Sequence, residues 1–225
     1  MKAKLNCAKE AVKLVEDGMV LGIGSGSTVE LFLKELGKRI KAEGLEVYGV
    51  PSSYQSHIVA VENGLRIVDL LQFPELDLCI DGADQIDSSL NCIKGGGGAL
   101  TREKIVASAS DRFVIIADES KLVEKLSMPI PVEILPFAYG FVAREIEKIG
   151  GSCRLREGSG KVGPVISDNG NFIVDCNFGV IEDPRDLEAR LNVIPGVVEN
   201  GIFCNSMIDR IIVGTEEGVR ILERL

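Results

Sequence analysis

Met19-Val20-Leu21-Gly22-Ile23-Gly24-Ser25-Gly26-Ser27-Thr28 is a short apolar run that gives way to alternating glycines and hydroxyl residues. Met19 to Gly22 reads as a buried strand, and a helix is expected from about Ser27 to Ala42. A glycine turn between a strand and a helix start lets backbone approach a ligand closely, and the helix start offers N–H groups to an anion. Five residues on from Gly22 stands Ser27, not the third glycine of a dinucleotide loop, and no Gly-Lys-Ser/Thr follows as in a Walker loop. The turn therefore suits a compact phosphate better than a nucleotide.

Upstream, Leu5, Ala8, Val12 and Val15 recur at helical spacing, and Gly18 ends that helix. Downstream come a strand at Glu46–Val50, a helix to about Asn63, a buried strand at Leu76–Ile80, a helix at Ala99–Ser110 and a strand at Phe113–Ala117. Strands alternating with helices predict a parallel sheet covered on both faces. The pattern changes near Met128. From there it runs close to βαββαβ, with a hairpin predicted around Asp168-Asn169-Gly170 and a helix from Asp183, the signature of a small ferredoxin-like α+β unit. The fold class expected is α/β: a Rossmann-like domain over 1–127 plus 205–225, and a ferredoxin-like domain over 128–204. The last segment, Ile211–Gly214 then Glu216–Leu225, is expected to be a strand followed by a helix.

Composition narrows the function. The chain has 225 residues, 45% apolar and 26% charged, with a net charge of −9. That field is wrong for nucleic acid or an anionic membrane, while local amides and lysines still suffice for a small anion. No apolar run nears the roughly 20 residues of a membrane span, and no signal-peptide core opens the chain. The six cysteines are scattered without a C-x-x-C pair, which predicts reduced thiols and a cytoplasmic protein. A lone histidine, His57, leaves no His-rich metal site, and a surface or internally satisfied histidine is expected there. Tyr48, Tyr54 and Tyr139 are expected to be packing residues.

Two further segments carry chemistry. Asp81-Gly82-Ala83-Asp84 sets two carboxylates just past a strand's carboxyl end, where open α/β sheets bind ligands. Lys94-Gly95-Gly96-Gly97-Gly98-Ala99-Leu100-Thr101-Arg102-Glu103-Lys104 places a lysine and four glycines before a helix whose first turns carry Glu103. Four consecutive glycines are costly to order, so their close approach is expected to be used. Lys121, after Ala117-Asp118-Glu119-Ser120, follows another strand, from where it is able to reach the sheet edge.

Together these segments resemble the type A ribose-5-phosphate isomerase family, as do Pro131-Val132-Glu133, Asp168-Asn169-Gly170-Asn171 and Ile194-Pro195-Gly196-Val197-Val198. The similarity runs along essentially the whole chain; Ser25 stands where the family commonly has threonine. The resemblance implies interconversion of ribose 5-phosphate and ribulose 5-phosphate without metal, by a homodimer or homotetramer; independence from any cofactor is expected from the lone histidine and the missing dinucleotide pattern. It implies Glu103 as the base, Lys94 as enediolate stabiliser, and Asp81 with Asp84 for hydroxyl protons. Ser25, Gly26, Ser27, Thr28, Gly82, Ala83, Gly95, Gly96, Gly97 and Lys121 are the implied substrate contacts, with Lys4 a further phosphate contact. A sensor that binds sugar phosphate without chemistry, and a coenzyme A transferase with a glutamate nucleophile, are the rival readings. The chain has neither a DNA-binding segment nor a lost catalytic acid to favour the sensor, and its Asp-Gly-Ala-Asp and lysine–glycine segments speak against the transferase.

Overall fold

The computed structural model describes residues 1–158, 160 and 162–223, which group into two compact units. The first holds Met1–Ala83, Arg102–Lys121 and the chain from Asn205 onward. Its sheet runs through β1 (Val20–Ile23), β2 (Tyr48–Pro51), β3 (Arg66–Ile67), β4 (Leu78–Asp81), β7 (Phe113–Asp118), β13 (Arg210–Gly214) and β14 (Val219–Glu223). The order across the sheet is β14-β13-β7-β4-β1-β2-β3. All neighbours are parallel except β13 and β14. Without β14, the six parallel strands follow the doubly wound order 3-2-1-4-5-6, whose direction of winding reverses between β1 and β4. The Rossmann-like expectation is met, and that reversal places the loops after β1 and β4 side by side.

The central strands β1 and β4 are buried along their whole length, and three helices pack in one core against them: α1 (Lys2–Val12), α2 (Ser27–Glu43) and α3 (Tyr54–Glu62). Cys7, Ala8 and Ala11 of α1 and Phe32, Leu33 and Leu36 of α2 form one core with Leu21, Ile23, Leu78, Ile80 and Ile116 of the strands. The expected C-terminal helix is a correction. Val219–Glu223 is an edge strand, turned back against β13 by a Thr215–Gly218 turn in which Thr215 N–H donates to Gly218 O (2.9 Å). Val219 joins the core, and sheet pairing there overrides helix propensity. Arg224 and Leu225, the end of that expected helix, lie outside the described residues.

The second unit holds Asp84–Thr101 and Leu122–Cys204. Its main sheet uses β8 (Ile130–Ile134), β9 (Ser152–Leu155), β10 (Phe172–Asn177) and β11 (Val197–Asn200), in the order β11-β8-β10-β9 and antiparallel throughout. With α5 (Tyr139–Lys148) and α6 (Pro184–Asn192) between them, these strands give βαββαβ in the spatial order 4-1-3-2, the ferredoxin-like arrangement. Gly170 takes φ 82° at the predicted hairpin, where Ser167 N–H donates to Asn171 O (2.9 Å).

The units do not follow the boundaries drawn from sequence. Residues 84–101 and 122–127 group with the second unit instead of the first. β5 (Gln85–Ile86) and β6 (Cys92–Ile93) pair with each other, β6 pairs with β12 (Ile202–Phe203), and Ile93 and Leu126 enter the second core. Such non-local pairing leaves no periodic trace. Among the described residues no helix is long and apolar enough to cross a membrane.

Candidate active site

In the first unit the turn after β1 is built around Asp81. Ser25 N–H and Gly82 N–H donate to Asp81 Oδ1 at 3.1 and 2.7 Å, and the carboxylate is wholly buried. Gly26 has φ 99°, a conformation that favours glycine, and opens α2 without a side-chain cap. The first turn of α2 therefore presents the amides and hydroxyls of Ser27 and Thr28 as a helix N-terminus. The Ser25 hydroxyl is engaged inside the fold, donating to Ser53 Oγ (2.7 Å) and lying 2.9 Å from Ser52 Oγ.

Lys4, reached from α1, donates to Ser27 Oγ at 3.0 Å. Asp118, at the end of β7, feels both Lys4 and Lys121. Partial burial pushes the Asp118 carboxyl up, but hydrogen bonds from the Ser120 hydroxyl and amide, with the charges of Lys4 and Lys121, hold it below the usual range. Lys4 thus stands at the start of α2, and it and Lys121 both act on the Asp118 carboxylate.

Glu103 is placed by α4 (Leu100–Ser108). Ala109 O accepts from Leu76 N–H (2.8 Å) just before β4, so the helix's carboxyl end lies at the amino end of that strand. A Cβ at Gly22 would come 2.5 Å from Val106, so glycine lets α4 lie close on β1. Glu103 is one turn earlier on the same helix face, roughly 4.5 Å towards the strands' carboxyl ends. It is 4% exposed.

In the second unit Asp84 accepts from Gly96 N–H at 2.7 Å, and a Cβ at Gly96 would sit 2.8 Å from the same carboxylate. Gly98 N–H closes a turn on Gly95 O (2.9 Å), with positive φ at both glycines. Lys94 is 2% exposed; its backbone N–H donates to Gly201 O, and its ammonium lies 5.2 Å from the Phe203 ring centroid. Lys104, not assigned a role from sequence, is also buried.

Two groups gave no motif signal. Arg156, just past β9, hydrogen-bonds Asp175 and the carbonyls of Gly95 and Gly96. Glu133, noted above only as part of a family pattern, is fully buried and accepts from Thr101 Oγ (2.6 Å), Ser167 Oγ (2.8 Å), Asn169 Nδ2 (3.0 Å) and Asn171 Nδ2 (2.8 Å). His57 is exposed, as expected. Tyr54 is not a packing residue: it is exposed, with the Arg102 guanidinium 5.5 Å from its ring centroid. The six cysteines are free thiols.

The chain is similar to known proteins along most of its length. Residues 48–218 match the model of ribose 5-phosphate isomerase A (phosphoriboisomerase A). Ribose-5-phosphate isomerase A of Archaeoglobus fulgidus is 67% identical over 221 residues, covering 97% of this chain and 98% of the relative. The structure of ribose 5-phosphate isomerase A from Methanocaldococcus jannaschii superposes with a TM-score of 0.94 at 49% identity, covering 98% of each chain. A D-ribose-5-phosphate isomerase in complex with phospho-erythronic acid gives 0.95 at 47% identity, covering 99% of this chain and 98% of that one. The chain belongs to the ribose 5-phosphate isomerase A family.

Proposed function

We propose that this chain interconverts D-ribose 5-phosphate and D-ribulose 5-phosphate through an enediolate, within the non-oxidative pentose phosphate pathway. The carrying observation is where charge is buried. Among the described residues the buried charged side chains are Asp81, Asp87, Lys94, Glu103, Lys104 and Glu133, and five of these six lie between Asp81 and Lys104. Burying charge is costly, and a fold that gathers it in one segment of a family with this activity uses it.

In the open-chain aldose the Glu103 carboxylate takes the proton from C2 and returns it to C1. Lys94 and the amides of the Gly95–Gly97 loop stabilise the negative oxygen that develops between these steps; one such donor is worth about 10²–10³-fold in comparable sites. Asp81 and Asp84 move the hydroxyl proton between O2 and O1 and assist ring opening. The phosphate is held by Ser27, Thr28 and Gly26 at the start of α2, with Lys4 and Lys121. The engaged Ser25 hydroxyl gives that residue the role of shaping the turn. The reaction is redox-neutral, and each proton has a partner among the chain's own side chains. The relative's complex with phospho-erythronic acid supports the reading, since a planar carboxylate on a phosphorylated sugar acid resembles an enediolate.

A cytoplasmic homodimer or homotetramer is the assembly we infer from family membership. The decisive assay is formation of ribulose 5-phosphate from ribose 5-phosphate by the purified chain. Binding without turnover would favour the sugar-phosphate sensor instead. Loss of activity in a chelator, restored by a divalent ion, would contradict the metal-free mechanism.

A further inference from the structure

Four glycines in sequence have no side chains with which to hold their own peptide planes, yet the role proposed for them requires those planes to be fixed. Arg156 supplies what they lack. It follows β9, where its N–H donates to Ile173 O (2.9 Å), and its side chain is only 17% exposed. Its Nε donates to Asp175 Oδ2 at 2.9 Å, and Nη2 bonds Asp175 Oδ1. The remaining nitrogen, Nη1, donates to Gly95 O at 2.9 Å and Gly96 O at 3.0 Å. One edge of a planar fork is thus locked on a carboxylate while its far end grips two successive carbonyls, a geometry that a lysine cannot reproduce.

Among the described residues no peptide bond is cis. In a trans peptide the N–H points opposite to the C=O. Gly95 O shares a plane with Gly96 N–H, and Gly96 O shares one with Gly97 N–H. Pulling both carbonyls towards Arg156 turns both amides away from it. The first of them shows the result, donating to Asp84 Oδ2 at 2.7 Å. The second belongs to Gly97, an exposed residue around which a Cβ would meet open space.

We propose that Arg156, oriented by Asp175, is a positioning residue for the reaction: it sets the two peptide planes so that Gly96 N–H holds Asp84 and Gly97 N–H is presented to the developing oxyanion. This rests on the isomerase reading above and adds to it a group outside the lysine–glycine motif. The effect should fall on kcat, because a misaimed donor weakens the transition state more than the bound substrate.

The test uses the full-length chain labelled with 15N-glycine. In Arg156→Ala, kcat should fall roughly 10–100-fold with KM within about threefold, as expected for a misplaced catalytic group. Arg156→Lys should recover little. Millimolar guanidinium should restore part of the Ala variant's kcat, which it would not do for a variant that is merely unfolded. Gly96 amide exchange should accelerate as its bond to Asp84 loosens, and Asp175→Asn should move kcat and exchange the same way by less. A kcat within about twofold of the unsubstituted chain, a loss confined to KM, or unchanged Gly96 exchange in the folded variants would each overturn the proposal. If the unsubstituted chain does not isomerise ribose 5-phosphate, the isomerase reading fails, while the exchange result still decides whether Arg156 orders the loop.

Discussion

Asp81 occupies the space that any side chain at position 24 would need: a Cβ there would lie 2.0 Å from both Cγ and Oδ1 of the Asp81 carboxylate. The glycine after β1 and the aspartate ending β4 are fitted to one another across the point where the sheet reverses its winding. Gly24→Ala should therefore displace Asp81, costing about 1–3 kcal/mol as overpacking does and lowering kcat at least tenfold. Gly97→Ala, with open space around it, should stay within about 0.5 kcal/mol of the parent. Urea unfolding of both variants checks the contrast. Equal stabilities would contradict it.

Glu133 ties the start of α4 to the Ser167–Asn171 hairpin through four neutral donors. Replacing it with glutamine turns one acceptor oxygen into a donor facing other donors. Glu133→Gln should cost about 2–3 kcal/mol, the range for losing hydrogen bonds to a buried charge. Thr101→Val should add less than its own single cost when combined with it, because the two share one bond. Additive losses in a denaturation cycle would show that Thr101 and Glu133 are not coupled.

Thiol chemistry should separate the cysteines. The Cys176 thiol hydrogen-bonds Cys153 and holds it below the ordinary thiol value, while burial pushes Cys7 up to about 11. Alkylation near pH 8, followed by peptide mass spectrometry, should label Cys153 first and Cys7 only on unfolding. Against an ordinary value of 9.0, Cys7 is neutral in both the folded and the unfolded state at lower pH. Stability fully present below pH 9 is then lost as pH rises towards 11, by about 2–3 kcal/mol. Cys7→Ala should flatten that slope; an unchanged slope would assign it to other groups.

Much of this architecture is legible in the order of residues alone. The strand–turn–helix signal at Met19–Thr28 and the strand ending at Asp81 both hold, because short periods of buried residues are local properties. Sequence patterning fails where pairing is non-local. Val219–Glu223 carries a helical pattern, but β13 offers it an edge; residues 84–101 continue the first domain's pattern, but β6 meets β12. The motif residues stand out because glycines and clustered charges are unusual. Arg156 does not, since one arginine in an alternating strand end resembles any solvated side chain; only its reach to Gly95 and Gly96 distinguishes it.

In the proposed reaction the Glu103 carboxylate moves the carbon-bound proton. The most direct test of that role is the steady-state rate of ribulose 5-phosphate formation by Glu103→Gln, compared with the parent chain at equal folded concentration. The expected kcat is lower by about 10²–10⁴-fold, the span of general base catalysis, with KM changed no more than a few-fold. A kcat within about twofold of the parent would contradict that role and move the base to another residue.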